Sequence, residues 1–341
     1  MTLDPLRPRP TWRFWAACLA ALLLALSPPT FFWWRSIRMP GSSFAGALSP
    51  LTHAQTQLAR ELERDVQRIA AEGERSVRRP EALARTVAWL ESELSGMGYG
   101  PVRQTFAVDG VPCHNLEAQL QGGALADELI VVGAHYDSAD GTAGANDNGS
   151  GVAALLALAR RMHGRTFARG VRFVWFTNEE PPHFQTADMG SMRYAYRARK
   201  HGARIAGMLS LETMGYYSDR PQSQKYPLPL SLFYPDRGNF IAFVANTDSR
   251  ALLHSAIAAF RAHARFPSEG AALSPSTPGV GWSDHWAFWQ QNYPALMVTD
   301  TAPFRDPHYH RASDQPDRLD YARLGRVVQG LESVIAALAS E

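Results

Sequence analysis

The segment Gly133-Ala134-His135-Tyr136-Asp137-Ser138 sets an imidazole two residues from a carboxylate. Ten residues after Asp137, Gly144-Ala145-Asn146-Asp147-Asn148-Gly149-Ser150-Gly151 offers a further carboxylate among glycines. Thr177-Asn178-Glu179-Glu180 supplies two adjacent carboxylates, Glu212 closes a short apolar run, and Asp306-Pro307-His308-Tyr309-His310 adds imidazoles near the C-terminus. Taken singly, each has an ordinary explanation: Asp147 as a helix N-cap, the glutamate pair as a solvated surface, His308 as a loop residue. Taken together they point to a metal hydrolase. Imidazoles and carboxylates are zinc ligands, and adjacent carboxylates divide the labour, one binding metal while its neighbour takes a proton from metal-bound water.

These side chains need a frame that brings distant segments together. Apolar runs at 129–134, 171–177, 208–211, 240–245 and 295–298 are short and mostly bounded by turn residues, which predicts strands. They alternate with helical stretches at 151–162, 191–200, 249–264 and 319–338. Two amphipathic helices precede them: Leu58, Leu62, Val66 and Ile69 mark the first, and Leu83, Val87, Leu90 and Leu94 the second. Such alternation predicts an α/β layer fold with a largely parallel central sheet and helices on both faces. The chemistry of such sheets gathers at the carboxyl ends of the strands, where His135, Glu179, Glu180 and Glu212 fall.

The bulk numbers suit a folded protein, with 45% hydrophobic and 19% charged residues, and the formal charge of +2 implies no basic groove for nucleic acid. Only two cysteines occur, Cys18 in an apolar run and Cys113 alone downstream, so neither a disulfide nor a thiolate zinc site is expected. From Phe14 to Trp34 the chain carries no charge and is flanked by arginines, long enough to span a bilayer. Residues 1–38 therefore read as a membrane anchor or a cleaved signal segment, 39–50 as a linker, and 51–341 as the folded domain. Either reading puts that domain at an inner membrane facing away from the cytoplasm, or exports it.

In order along the chain, Gly-Ala-His135-Tyr-Asp137-Ser, Gly-Ala-Asn-Asp147-Asn-Gly-Ser-Gly, Asn-Glu179-Glu180, Leu-Glu212, Ser283-Asp284-His285 and Tyr-His310 resemble the M28 zinc aminopeptidases, which carry two co-catalytic metals. The resemblance covers most of the chain from about Leu51. It implies a three-layer zinc-exopeptidase fold, with a mostly parallel mixed sheet between helices. It implies two zinc ions, one held by His135, Asp147 and Glu212, the other by Asp147, Glu180 and His310, with Asp147 bridging. It makes Glu179 the general base and Asp137 the partner that fixes the ring of His135. The expected substrates are peptides with a free N-terminus.

The chain departs from the family's pattern in places. Glu212 stands where many relatives have Asp, Arg311 follows His310 where Thr is common, and Val280 occupies the place of a tyrosine that some relatives use to stabilise the oxyanion. Tyr216 and Tyr217 are the candidates for that missing role. Trp282, Trp286, Phe288 and Trp289 are candidates for core packing or for an apolar specificity pocket. Residues 216–235 read as a loop over the same face. The alternatives are a glutaminyl-peptide cyclase, which shares the fold and one zinc site, and an inactive membrane-tethered binding module.

Overall fold

A computed structural model describes residues 30–340, with residues 12, 14–16, 18 and 19. The uncharged run expected to form the membrane segment lies largely outside the described residues. Among those that are described, no helix is long and apolar enough to cross a membrane. The chain divides into two units, 1–38 and 39–341. In the first, Trp33–Ile37 forms a π-helical turn. The second holds the sheet and its helices.

Its first helix, α1 (His53–Ala70), begins with a reciprocal cap. The Thr52 hydroxyl accepts the Gln55 N–H at 3.2 Å, and the Gln55 side-chain oxygen accepts the Thr52 N–H at 3.0 Å. Leu58, Leu62, Val66 and Ile69 form its buried stripe. Helix α2 (Pro80–Gly96) starts on a proline, whose missing N–H costs nothing in a first turn.

A hairpin follows, β1 (Val102–Val108) and β2 (Val111–Leu120), joined through Asp109 and Gly110, both at positive φ. The chain then alternates through β3 (Gly122–His135), α3 (Gly151–Met162), β4 (Phe167–Phe176), α4 (Gly190–Lys200) and β5 (Arg204–Glu212). It continues with β6 (Ile241–Asn246), α5 (Arg250–His263), β7 (Ser268–Leu273), α6 (His285–Trp289), β8 (Ala295–Thr299) and α7 (Tyr321–Ser340). The expected alternation is present. The β1–β2 hairpin and β7 were not anticipated, because their polar residues break the apolar runs.

All eight strands form one sheet in the order β1-β2-β4-β3-β5-β8-β6-β7. The central pairs β4–β3, β3–β5 and β5–β8 are parallel, as is β6–β7, whereas β1–β2, β2–β4 and β6–β8 are antiparallel. One face packs against α1, α2, α3, α5 and α7 in a single apolar cluster. Helix α3 is apolar on every side because it is enclosed there, with residues 151–159 all buried. The opposite face is covered by α4 and α6 beside β2, β5 and β8. Over β6 and β7 it is covered by loops from 213–240 and 274–284. Adjacent parallel strands β4, β3 and β5 therefore end at the same edge, which puts Glu179 and Glu180, His135 and Glu212 side by side.

Residues 39–50, expected as a linker, contain no helix or strand and lie along the β7 edge. Arg261 donates to the carbonyls of Pro40 at 3.0 Å and Gly41 at 3.3 Å, and the Ser43 hydroxyl accepts the Ser268 N–H at 2.9 Å. Ser43 thus satisfies a backbone N–H that the edge strand leaves open.

Candidate metal centre

The ring of His135, at the last residue of β3, is fully buried. Its Nε2 lies 3.2 Å from Glu212 Oε2, 3.4 Å from Asp147 Oδ1 and 3.8 Å from Glu179 Oε2. Its Nδ1 faces Asp137 Oδ1 at 3.5 Å. On the other side of Asp147, His310 Nε2 is 3.0 Å from Asp147 Oδ2 and 3.2 Å from Glu180 Oε2. Asp147 thus turns one oxygen to each histidine. His135, Asp147 and Glu212 form one group able to hold a metal, and Asp147, Glu180 and His310 another.

Three local devices aim Asp147. Gly144 takes φ +53°, and a Cβ there would sit 2.4 Å from the Asp147 carbonyl oxygen and 2.8 Å from Arg75 Nη2. Arg75, fully buried, donates to the carbonyls of Tyr136 at 2.7 Å and Ala143 at 2.6 Å, tying the β3 exit to the glycine turn. Asp314 accepts the N–H groups of Asn146 at 2.8 Å and Asp147 at 3.1 Å. Behind the turn, Asn148 Oδ1 accepts from Gly151 and Thr213, both at 3.1 Å, and its amide donates to the Leu211 carbonyl at 2.8 Å. That side chain ties the start of α3 to the end of β5.

Asp137 and Ser283 orient the other ligands. Asp137 faces His135 with one oxygen, and with the other accepts the Glu180 N–H at 3.0 Å. Ser283 donates to Glu212 Oε2 at 2.7 Å and touches the Ser210 hydroxyl at 2.8 Å.

Five carboxylates around two imidazoles make an electrostatic problem. Burial raises the Glu180 carboxyl, and Asp147 adds to the rise, bringing it to about 8 despite His310. Burial likewise lifts Glu179 well above the ordinary range, with His135 opposing and Glu212 and Glu180 reinforcing. For His310 burial favours the neutral ring, yet Asp147 and Glu180 outweigh it and raise the pKa to about 10. Meanwhile His135 Nδ1 and Nε2, Asp147 Oδ2 and Glu180 Oε1 are buried without a hydrogen-bond partner. Bare polar atoms in such a site are costly. A divalent cation fits, because it neutralises the excess negative charge and occupies the orphaned ligand atoms.

Residues 115–335 match peptidase family M28. The chain belongs to that family. It is 36% identical over 262 residues to the uncharacterised protein YfbL of Escherichia coli K12, covering 74% of this chain and 80% of that one. It is 27% identical over 222 residues to a probable leucine aminopeptidase 1 of Trichophyton verrucosum, covering 61% of this chain and 53% of that protein. Among solved structures, the LapA aminopeptidase of Legionella pneumophila superposes with a TM-score of 0.67 at 19% identity, covering 87% and 78%. A glutaminyl cyclase of Fimbriiglobus ruber gives 0.60 at 22%, covering 89% and 100%. A zinc-dependent exopeptidase of Parabacteroides distasonis gives 0.60 at 18%, covering 82% and 97%. These structural likenesses establish the shared fold. As an M28 member the chain is a zinc-dependent metallopeptidase.

The family's aromatic and tyrosine candidates separate in the structure. Trp282 lines a cleft beside Glu212, whereas Phe288 packs on Phe176 and Tyr194, and Trp289 donates to the Ala295 carbonyl at 2.9 Å. Trp286 is half-buried and does not line the cleft. Tyr217 is half-buried against Phe266, and Tyr216 rests beside His308, whose Nδ1 meets Ser313 at 2.9 Å. Tyr309 is the residue sequence reasoning missed. Its ring stacks on His310 with centroids 4.0 Å apart, and it lines the cleft with Glu212. Burial raises its phenol strongly, with Asp147, Glu180, Glu212 and Glu179 all adding, so it remains protonated as a donor. Its place beside His310 was the available signal.

Proposed function

We propose that this chain is an aminopeptidase that uses two zinc ions to release N-terminal residues from peptides. The observation that carries the reading is the pair of ligand triads sharing Asp147, with Glu179 alongside. His135, Asp147 and Glu212 would hold one ion, and Asp147, Glu180 and His310 the other. When bound, the ions supply Lewis acidity, which acidifies a water molecule and polarises the scissile carbonyl.

The chain's own groups do the rest. Glu179, beside His135 at 3.8 Å, takes the proton as the peptide carbonyl is attacked and delivers it to the leaving amine. Asp137 keeps Nε2 of His135 turned inward by holding the Nδ1 side of the ring. Tyr309 donates to the oxygen on which negative charge develops. The acidic surroundings favour a positively charged α-amine close to the scissile bond, which makes the enzyme trim ends.

The test compares a peptide with a free N-terminus, its N-acetylated form, and one beginning with glutamine. Release of the first residue from the free form alone is expected. Cleavage of the acetylated form contradicts an exopeptidase, and cyclisation of the N-terminal glutamine without release identifies a cyclase. We further propose that residues 1–38 place the catalytic body outside the cytoplasm, anchored or released. Protease added to spheroplasts should then reach any body still anchored. A body found only within intact spheroplasts and protected there contradicts this placement.

A further inference from the structure

Strand register lays out a row across one half of the sheet. Glu212 of β5 pairs with Thr299 of β8, Thr299 with Ala242 of β6, and Ala242 with Glu269 of β7. Residues directly opposite share a face, so all four side chains point to the face that carries the metal centre. With about 4.8 Å between neighbouring strands, Glu212 and Glu269 stand roughly 14 Å apart at their Cα atoms. The two positions between them, Thr299 and Ala242, are short. Loops and short 3₁₀ turns wall the space above this row, and a cleft of about 800 Å³ including its open mouth lies over it. Its walls include Tyr226, Phe304 and Trp282, the last two stacked at 6.5 Å. One end of the row is thus a metal ligand, the middle is low and apolar, and the far end is a carboxylate.

Glu269 has no tight counter-ion. The Arg261 guanidinium approaches only to 3.9 Å, and its N–H groups are engaged by the Ser268 hydroxyl and by the carbonyls of Ser268, Pro40 and Gly41. The Ser43 hydroxyl also bonds Glu269. Lys225, exposed at the rim, forms no ion pair with it among the described residues. The Glu269 side chain is 24% exposed. A carboxylate held in an apolar cleft with a loose partner is costly as packing and useful as a receptor for a cation.

We propose that this cleft receives the side chain of the substrate's N-terminal residue and that Glu269 selects a basic one, lysine or arginine. The inference rests on the aminopeptidase reading and extends it to substrate class. A leucine side chain fills only the part of the cleft next to Glu212. The methylene stem of lysine or arginine lies along the low apolar floor and carries its charge towards Glu269.

The test is kcat/KM of the zinc-loaded full chain on lysyl, arginyl, norleucyl and leucyl anilides, for the wild type and Glu269→Gln. Norleucine keeps the lysine stem without its charge. Lysine should exceed norleucine by about 10- to 100-fold in the wild type, the worth of one hydrogen bond to a charged group. In Glu269→Gln that ratio should collapse towards one, chiefly through KM. Equal rates for lysine and norleucine in the wild type, a measurement that needs no variant, overturn the inference while leaving the aminopeptidase reading in place. A ratio unchanged by Glu269→Gln overturns it as well. No turnover of any free-amine substrate by the wild type overturns both.

Discussion

Tyr309 is the residue proposed for the oxyanion role that Val280 leaves open. Val280 is buried, and its carbonyl bonds the His285 ring, so it has nothing to offer an oxyanion. Tyr309, on the loop that carries His310, stacks on that ring and lines the cleft with Glu212. Tyr309→Phe is expected to lower kcat by roughly 10²-fold with bound zinc unchanged, the usual cost of losing one preorganised donor. An unchanged kcat would remove Tyr309 from the account. His285 makes a second prediction at this scale. Burial lowers its pKa from 6.5 to about 4, and the bond between its Nε2 and the Val280 carbonyl opposes the shift only in part. The unfolded chain therefore binds a proton that the folded one refuses. The stability that follows is fully present above about 6.5 and is lost as pH falls towards about 4. The fall in Tm between pH 7 and 4.5 should be smaller in His285→Gln than in the wild type, and an equal or steeper fall would contradict the assignment.

At the scale of elements, the site depends on turns more than on helices. The strands β3, β4 and β5 bring their ends together, but the backbone between Gly144 and Gly151 decides where Asp147 points. Gly144→Ala puts a Cβ against the Asp147 carbonyl and Arg75 in a left-handed conformation. We expect a lowered Tm together with at least a tenfold weaker hold on zinc. A variant that binds zinc as the wild type does would show that the turn tolerates the shift. Several supports of this turn were not readable from sequence. Arg75 and Asp314 reach it over separations of 69 and 168 residues, respectively, and nothing in their neighbourhoods marks them as partners of the turn. The hairpin β1–β2 carried a signal in Asp109-Gly110, but the polar residues along its strands hid the alternation.

For the whole molecule, the two candidate ligand groups around Asp147 were legible through the resemblance to the M28 peptidases, and the sheet brings His135, Glu179, Glu180 and Glu212 together because its parallel strands end at one edge. The order of strands was not legible, and with it neither was the row from Glu212 to Glu269. Alternating strands and helices do not say that β8 lies between β5 and β6. For the same reason three of the aromatic candidates around Ser283 could not be sorted into core and cleft before the packing of α6 was known. The loop over residues 216–235 also proves to be tied down. Arg305 Nε donates to Gln224 at 2.8 Å and Nη1 to the Phe240 carbonyl at 2.9 Å, while the Lys225 N–H bonds the Phe304 carbonyl at 2.8 Å. Gln224, Lys225, Tyr226, Pro227, Leu230 and Tyr234 form one wall of the cleft.

In the proposed mechanism two zinc ions sit in the triads around Asp147 and Glu179 moves the proton. Zinc content and aminopeptidase turnover, measured side by side on the wild type and on Glu179→Gln, test it most directly. About two zinc ions per chain are expected in both proteins, with a loss of kcat by roughly 10²- to 10⁴-fold in the variant. A variant that retains its zinc and turns over at the wild-type rate would contradict it, as would a fully active wild type with no bound metal.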